Sequence, residues 1–213
     1  MPRFDECGWG FPPAEDWPDD DVVAVGADLE PSTLLYAYSH GMFPMHLDRM
    51  KNRLGWWSPM RRGVVPMDGL RVTRSMRRSD RRFTVSFDTA FSEVMHRCSD
   101  MRTDGNWITE AFVRAYGRLH GMGHASSVEV RNDAGDLVGG LYGVRIDRFF
   151  AGESMFHRET DASKVALMHL VHRLSDEGVV LLDTQWRTDH LASLGCIEVP
   201  RDEYLGLLAR ALD

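Results

Sequence analysis

Apolar residues recur at the i, i+3, i+4, i+7 spacing of an amphipathic helix in three segments of the chain. The buried faces that this spacing predicts are Phe91, Val94, Met95 and Cys98; Phe112, Ala115, Tyr116 and Leu119; and Leu167, Leu170, Val171 and Leu174. Asp88 is of a type common at helix N-termini and is expected to cap the first helix, while Thr109 begins the second. The third helix is expected from Asp161 to about Glu177, because Gly178 follows as a stop signal.

The pattern changes to that of strands between the second and third helices. Val128-Glu129-Val130 alternates, and turn residues at 132–135 separate it from two further apolar runs at 137–144 and 149–156. Residues 179–182 are continuously apolar, as expected of a strand covered on both faces, and a short helix is predicted after them. The order strand, strand, strand, helix, strand, short helix is that of the acyltransferase fold of acetyl-CoA-dependent N-acetyltransferases.

Length and composition indicate a globular protein of two unequal domains. The chain has 213 residues, 43% of them hydrophobic, and a mean hydropathy of -0.32, whereas a single domain usually has about 100 to 150 residues. We expect a small N-terminal α+β domain at 1–100 and an acetyltransferase-like domain at 101–213, divided at a short polar segment. Within the first domain, prolines predict an extended arm over about the first 20 residues. A short helix is expected between Pro31 and Gly41.

The chain shows no signal for export or for a membrane. It contains no apolar run of about 18 residues, and its N-terminus is acidic and rich in proline and tryptophan. Cys7, Cys98 and Cys196 are an odd number at long spacings, which favours reduced thiols over a disulfide framework. We therefore expect a cytoplasmic protein.

An arginine cluster stands out against the net charge of -7. Six arginines lie between residues 71 and 82 against a single acidic residue, Asp80. If the segment is helical, four of them fall at i, i+3, i+4 and i+7 and form one cationic face: Arg74, Arg77, Arg78 and Arg81. Such a face can bind several phosphates, although it can also be an ordinary solvated surface.

Three polar residues in apolar strands are candidates for chemistry. Glu153 lies within an apolar strand, where a carboxylate is costly unless it has a partner, so it is either a satisfied structural residue or a functional one. Asp183 and Gln185 follow the buried strand and share one face of its end, where an anion can orient a neutral amide. A structural cap for the following turn is the alternative for this pair.

Other candidates are weaker. His120 and His124 have helical spacing but no accompanying metal motif, and the same holds for His169 and His172, so we expect no metal site. The chain contains neither a nucleophile elbow nor a phosphate-binding loop of the G-x-x-x-x-G-K type. The Trp56-Trp57 pair is either part of the core or a platform on which a nucleobase can stack.

Nine ordered motifs together resemble one family, the leucyl/phenylalanyl-tRNA protein transferases. They are Val25-Gly26-Ala27-Asp28-Leu29, Gly41-Met42-Phe43-Pro44, Trp56-Trp57-Ser58-Pro59, Trp107-Ile108-Thr109, residues 139–144, residues 152–156, Ala162-Ser163-Lys164, Asp183 with Gln185, and residues 190–195. The resemblance implies transfer of Leu or Phe, and also Met, from aminoacyl-tRNA to proteins that begin with Arg or Lys, which marks them for bacterial degradation. It implies no metal, no coenzyme A and a monomer.

The resemblance also implies roles for individual residues. The catalytic positions are Asp183, Gln185 and Glu153. The apolar pocket for the donor side chain is implied at Leu141, Phe150, Met155, Leu170, Leu174 and Leu182. Recognition of the terminal adenosine and the tRNA stem is implied at Trp107, Tyr116, Tyr38, Arg74, Arg77, Arg78 and Arg81. Met45 departs from the family, which has a tryptophan there, and this leaves the preference among donors open.

Two other functions compete with this one. A coenzyme A-dependent N-acetyltransferase would need a pyrophosphate-binding loop before the long helix, and residues 156–164 offer none. A non-catalytic tRNA-binding module would explain the arginine cluster but not the joint presence of Glu153, Asp183 and Gln185.

Overall fold

The computed structural model describes residues 7–47, 53–100 and 108–213. The helices of these ranges are α1 (Pro31–Ser39), α2 (Arg74–Asp80), α3 (Phe91–Asp100), α4 (Glu110–Gly121), α5 (Ala162–Asp176), α6 (Asp189–Ser193) and α7 (Arg201–Leu212). The strands are β1 (Val22–Val25), β2 (Phe43–His46), β3 (Leu54–Trp57), β4 (Arg61–Val65), β5 (Thr84–Phe87), β6 (Ala125–Arg131), β7 (Leu137–Ile146), β8 (Phe149–His157), β9 (Leu181–Gln185) and β10 (Ile197–Pro200).

The strands form two sheets. A seven-stranded sheet has the order β10-β4-β9-β8-β7-β6-β5, and a three-stranded sheet has the order β1-β3-β2. All neighbouring strands are antiparallel except β8 and β9, which are parallel because α5 connects them. The predicted mixed α/β class and the predicted order of elements from β6 to α6 are confirmed.

Helices cover both faces of the large sheet. One core contains the apolar side of α5 together with Met76 of α2 and side chains such as Val128 and Leu141 of the sheet. The other contains the buried faces of α1, α3, α4 and α7 and the opposite side of the sheet, including Tyr142 and Phe156. The helical faces expected from the apolar spacing are therefore the buried ones. None of the helices in the described ranges is long and apolar enough to cross a membrane.

The change from one sheet to the other falls between Trp57 and Arg61. Two strands that precede the predicted domain boundary, β4 and β5, belong to the same sheet as all strands that follow it. The boundary between residues 100 and 101 adjoins the segment 101–107, outside the described residues, and it stays a prediction.

The predicted N-cap at Asp88 is wrong. Helix α3 begins at Phe91, and the Asp88 backbone is left-handed, with a φ of 61°. Its carboxylate accepts hydrogen bonds from the backbone N–H of Ser127 at 2.9 Å and from the hydroxyl of Ser126 at 2.7 Å. Asp88 thus ties the start of α3 to β6, a tertiary contact that a local capping pattern does not predict.

Candidate active site

The candidate site lies where the pairing of the parallel strands β8 and β9 ends. They pair from Phe149 and Leu181 as far as Ala151 and Asp183. Beyond that point, Glu153 on β8 and Gln185 on β9 line a cavity of about 320 Å³. This cavity lies at the carboxyl ends of the two parallel strands, where α/β proteins commonly place their sites.

A β-bulge directs Glu153 into this cavity. The register of β7 and β8 shifts so that Tyr142 faces Ser154 and Gly143 faces Gly152, which leaves Glu153 as the extra residue. A bulge of this kind bends the strand and re-aims the side chain of the inserted residue. The Glu153 carboxyl group therefore does not follow the regular alternation of side chains between the two faces of the sheet.

Apolar side chains form most of the cavity wall. They come from β2, β7, β8, α5, β9 and the segment around α6: Phe43, Pro44, Met45, Leu141, Met155, Leu167, Leu170, Leu182, Trp186 and Leu191. Polar residues also line the cavity, including Thr188 and His190 besides Glu153 and Gln185. The cavity can accordingly enclose an apolar side chain and present its reactive end to polar groups.

Glu153 is partly exposed where it lines the cavity, and protein atoms surround the rest of its side chain. Burial raises its pKa to about 8, and the nearby Asp183 charge adds to this, although hydrogen bonds from the tyrosine hydroxyls and the charge of Arg62 act in the opposite direction. The Tyr116 hydroxyl lies 3.3 Å from Glu153 Oε2 and 2.5 Å from the Tyr38 hydroxyl. The surroundings of Glu153 therefore favour its neutral form.

Gln185 has a left-handed backbone, with a φ of 60°, and its side chain is only 7% exposed. With its amide nitrogen turned towards the carbonyl oxygens of Gly152 at 2.9 Å and Thr184 at 3.2 Å, both N–H groups are satisfied. The amide oxygen then faces Glu153 Oε1 at 3.5 Å, a contact that favours a protonated Glu153.

Asp183 does not line the cavity. Its carboxylate is fully buried and forms a bidentate ion pair with Arg62, with Nε to Oδ1 at 2.9 Å and Nη2 to Oδ2 at 2.6 Å. It also accepts the Tyr204 hydroxyl at 2.9 Å and the Gln185 backbone N–H at 2.8 Å. Asp183 therefore orients Gln185 through the backbone, not through the side-chain amide.

Arg62 and Tyr204 are site residues that the sequence reasoning missed. Burial alone would lower the pKa of Arg62, but the charge and hydrogen bonds of Asp183, together with Tyr204 and Glu153, raise it, so the guanidinium is charged. The signal was present, because Arg62 directly precedes the apolar Gly63-Val64-Val65 and a buried charge needs a partner.

The structure divides the predicted aminoacyl pocket. Leu141, Met155, Leu170 and Leu182 line the cavity beside Glu153 and Gln185. Phe150 and Leu174 do not line it, and face a second cavity of about 550 Å³ instead. Residues 150 and 174 lie nearer the opposite end of β8 and α5, which explains the difference. Leu167 and Leu191 line the first cavity without having been predicted.

The two tyrosines predicted to bind adenosine lie in the core. Tyr38 is 1% exposed and Tyr116 is fully buried, so in this structure neither ring has a free face on which a base can stack. The two hydroxyls contact each other, and that of Tyr116 also contacts Glu153. The tyrosines therefore help to hold the Glu153 carboxyl group in place. Trp107 lies outside the described residues. Adenosine recognition by these three residues stays a prediction.

The predicted arginine face is present on the surface. Met76 and Ser79 of α2 are buried, whereas the four arginines of the face, Arg74, Arg77, Arg78 and Arg81, are exposed. Within the described ranges, none of these four side chains forms an ion pair. Their charges are thus free to meet an anion from solution.

Helix α2 is fastened to the beginning of α5, close to the cavity. Ser75 and Ser79 donate hydrogen bonds to Asp161 at 2.5 and 3.3 Å, and Lys164 contacts the same carboxylate at 2.9 Å. Burial lowers the pKa of His190, which lines the cavity, and the charge of Lys164 lowers it further. Helix α2, which carries the arginine face, is therefore attached to the end of α5 whose Lys164 acts on the cavity residue His190.

The histidine pairs have structural partners. His120 Nδ1 lies 2.9 Å from the carbonyl oxygen of Ala125, and His169 Nε2 lies 2.7 Å from Asp80. Over residues 7–47, 53–100 and 108–213, no group of three or more His, Cys, Asp or Glu side chains is arranged to hold a metal ion.

Comparison with protein families gives two adjoining matches. The model of the leucyl/phenylalanyl-tRNA protein transferases matches residues 64–209, and the model of the N-terminal domain of the same proteins matches residues 27–60. The gap between the two matches, residues 61–63, lies in the first part of β4, directly after the chain has passed from the small sheet to the large one.

Individual proteins agree with the family models. The leucyl/phenylalanyl-tRNA–protein transferase of Syntrophobacter fumaroxidans is 47% identical over 93% of this chain and 86% of its own length. That of Pseudomonas putida is 47% identical over 95% of this chain and 91% of its own length. The crystal structure of FemX shares the fold, with a TM-score of 0.52 at 11% identity over 80% of this chain and 66% of that one. The chain belongs to the leucyl/phenylalanyl-tRNA protein transferase family.

Proposed function

We propose that the protein transfers leucine or phenylalanine, and also methionine, from aminoacyl-tRNA to the α-amino group of proteins that begin with Arg or Lys. The observation that carries this proposal is the apolar cavity of about 320 Å³ that ends at Glu153 and Gln185. Both named relatives are transferases between an aminoacyl-tRNA and a protein, and they match nearly the whole chain.

The reaction joins an amine to an ester that is already reactive. The acceptor nitrogen attacks the ester carbonyl carbon, the bond to the ribose oxygen breaks, and one amine proton ends on that oxygen. An α-amine has a pKa of about 8, so a useful fraction is neutral at pH 7. Holding the two reactants in the correct geometry is then the main task of the enzyme.

Glu153 and Gln185 are placed to hold the amine. The amide oxygen of Gln185 accepts one amine N–H, because its own N–H groups donate to the Gly152 and Thr184 carbonyls. Glu153 in its ionised form takes the one proton that the attacking amine loses and passes it to the departing ribose oxygen. Burial raises its pKa towards that of the amine, which suits a group that takes and returns one proton.

The cavity suits donors with apolar aliphatic or aromatic side chains. Its wall contains the flexible side chains of Met45 and Met155 as well as leucines, and methionine adapts to differently shaped partners. An apolar pocket separates side chains by only about 1 to 3 kcal/mol per methylene. Leu, Phe and Met are therefore all accepted.

The arginine face contacts the phosphates of the donor tRNA. Its four exposed arginines lie on α2 and the residue that follows it, and α2 is attached to the beginning of α5, a helix that lines the cavity. Salt-sensitive binding follows, since each phosphate contact releases a bound cation. We further propose that the protein is a cytoplasmic monomer, that its reaction needs neither metal nor coenzyme A, and that its products are marked for degradation.

A transfer assay tests the proposal. The purified protein is mixed with Leu-, Phe-, Met- or Asp-tRNA, each labelled in the amino acid, and with peptides that begin with Arg, Lys or Ala. Label is expected on the Arg and Lys peptides from the first three donors alone. Absence of transfer from Leu- and Phe-tRNA to both basic peptides would refute it.

A further inference from the structure

The Arg62 side chain is almost completely buried, at 1% exposure, and all three of its nitrogens have hydrogen-bond partners. Nε and Nη2 bind Asp183, Nη2 also lies 3.2 Å from the Tyr204 hydroxyl, and Nη1 donates to the carbonyl oxygen of Gly41 at 3.1 Å. The guanidinium lies 4.3 Å from the centre of the Tyr204 ring and 4.9 Å from that of Phe43. Asp183, Tyr204, Gly41 and Phe43 therefore fix the position of the guanidinium together.

Arg62 is connected to Gln185 through a single carboxylate, that of Asp183. Asp183 Oδ1 accepts both Arg62 Nε and the backbone N–H of Gln185, and Oδ2 accepts Tyr204. A rotation of this carboxylate would release the Gln185 N–H. The orientation of Asp183 thus determines whether the backbone of Gln185 is held.

Gln185 needs such support because its backbone is strained. A left-handed φ of 60° is unfavourable for a residue other than glycine, and the surrounding structure must maintain it. The neighbouring strand is shaped for this turn, since a Cβ atom on Gly63 would lie 2.8 Å from the backbone nitrogen of Arg187 and 2.8 Å from the carbonyl carbon of Trp186. Gly63 follows Arg62 directly, so one short segment both makes room for the turn and anchors it.

Stability alone does not explain the buried ion pair of Arg62 and Asp183. A fully buried ion pair contributes little net stability compared with apolar side chains of the same volume, because both charges lose their hydration. A bidentate pair does, however, fix the plane and direction of a carboxylate more strictly than apolar packing.

We propose that Arg62 and Tyr204 are positioning residues for the transfer reaction. They clamp the Asp183 carboxylate so that it holds Gln185 in its left-handed conformation, with the amide oxygen towards Glu153. This inference rests on the proposed function and assigns neither residue a contact with substrate. It requires that the two residues affect the rate only through Gln185.

A double-mutant cycle tests this requirement. Arg62→Lys and Tyr204→Phe are each made in the wild-type and in the Gln185→Ala background, with Arg61→Lys, on the exposed face of the same strand, as the matched control. Single-turnover rates of phenylalanine transfer from Phe-tRNA to an Arg peptide are measured at saturating donor, at a temperature where thermal unfolding shows every variant folded. Tyr204→Phe removes only one hydroxyl, so it keeps the test informative if Arg62→Lys fails to fold.

In the wild-type background we expect Arg62→Lys to lower the rate by about 10- to 100-fold and Tyr204→Phe by a smaller factor, with donor KM within about twofold. In the Gln185→Ala background neither should lower it further, and Arg61→Lys should be neutral in both. Equal losses in the two backgrounds, or no loss in the wild type, would overturn the proposal. Lack of transfer by the wild-type protein would instead refute the proposed function.

Discussion

Glu153 and Gln185 approach to 3.5 Å at the point where β8 and β9 have separated. One reaches the cavity through a β-bulge and the other through a left-handed residue, so each departs from regular strand geometry. Local irregularities of this kind are costly and are retained where they aim a side chain. The contact brings a neutral amide oxygen against a carboxyl group whose pKa is raised by burial to about 8.

The raised pKa predicts how stability depends on pH. Folding favours the protonated Glu153, so its contribution is complete below the unfolded pKa of about 4.5 and is lost as the pH rises to about 8. In that interval the folded state binds more protons than the unfolded state, and the free energy of unfolding falls by up to about 1.4 kcal/mol per pH unit. Glu153→Gln, which is uncharged throughout, should lack this slope. Urea unfolding of both proteins between pH 5 and pH 8 measures the difference, and parallel curves would show that Glu153 does not titrate in this range.

The buried pair of Arg62 and Asp183 predicts a stability pattern of its own. Asp183→Ala leaves the guanidinium buried without its carboxylate and should cost about 3 to 5 kcal/mol in the free energy of unfolding. The double variant Arg62→Met with Asp183→Leu should recover part of this loss, because no unpaired charge remains, but should not recover transfer activity. Chemical denaturation and the transfer assay together check this, and a double variant less stable than Asp183→Ala would argue against it.

The cavity wall predicts a change in donor preference. Leu167→Ala enlarges the cavity and should raise the ratio of Phe to Leu transfer by up to about tenfold, since a methylene is worth about 1 to 3 kcal/mol. Leu174→Ala is the matched control, because it is an equally buried leucine of α5 that does not line this cavity. Both should lose about 2 to 5 kcal/mol of stability. The ratio of kcat/KM values for the two donors is measured, and a similar change in both variants would place the donor side chain elsewhere.

The arginine face predicts the salt dependence of tRNA binding. Arg77→Glu with Arg78→Glu should weaken binding and reduce the slope of log K against log salt by about 0.7 to 0.9 for each phosphate contact that is lost. Arg114→Glu with Arg210→Glu changes the net charge equally at two exposed positions away from α2 and should preserve most of that slope. Filter binding of charged tRNA at several salt concentrations distinguishes them. Identical slopes in the two double variants would mean that only the overall charge of the protein matters.

The sequence could reveal residues whose burial contradicts their polarity. Glu153 was found in this way, and Asp183 and Gln185 were found from their place after an apolar strand. Arg62 was missed because it stands beside Arg61, and only the period of two along β4 places one inside and the other on the surface. The family resemblance implied a place for Phe150 and Leu174 in the donor pocket, and in the structure both line a second cavity. Apolar spacing shows that a side chain is buried, but tertiary packing decides which cavity it faces.

Tyr38 and Tyr116 show a further limit. The apolar spacing of α4 predicted burial of Tyr116, and both tyrosines are buried, whereas the family resemblance implied that they bind the donor tRNA or its terminal adenosine. Only the packing of α1 against α4 brings the two hydroxyls together next to Glu153.

The most direct measurement is the single-turnover rate of phenylalanine transfer from Phe-tRNA to an Arg peptide, by the wild type, Gln185→Ala and Glu153→Gln, with donor affinity measured separately. If these two side chains hold the amine and its proton, each variant should bind the donor normally and transfer at least about 100-fold more slowly. Transfer at the wild-type rate by either variant, with the donor bound, would contradict the assignment of the reaction to this pair.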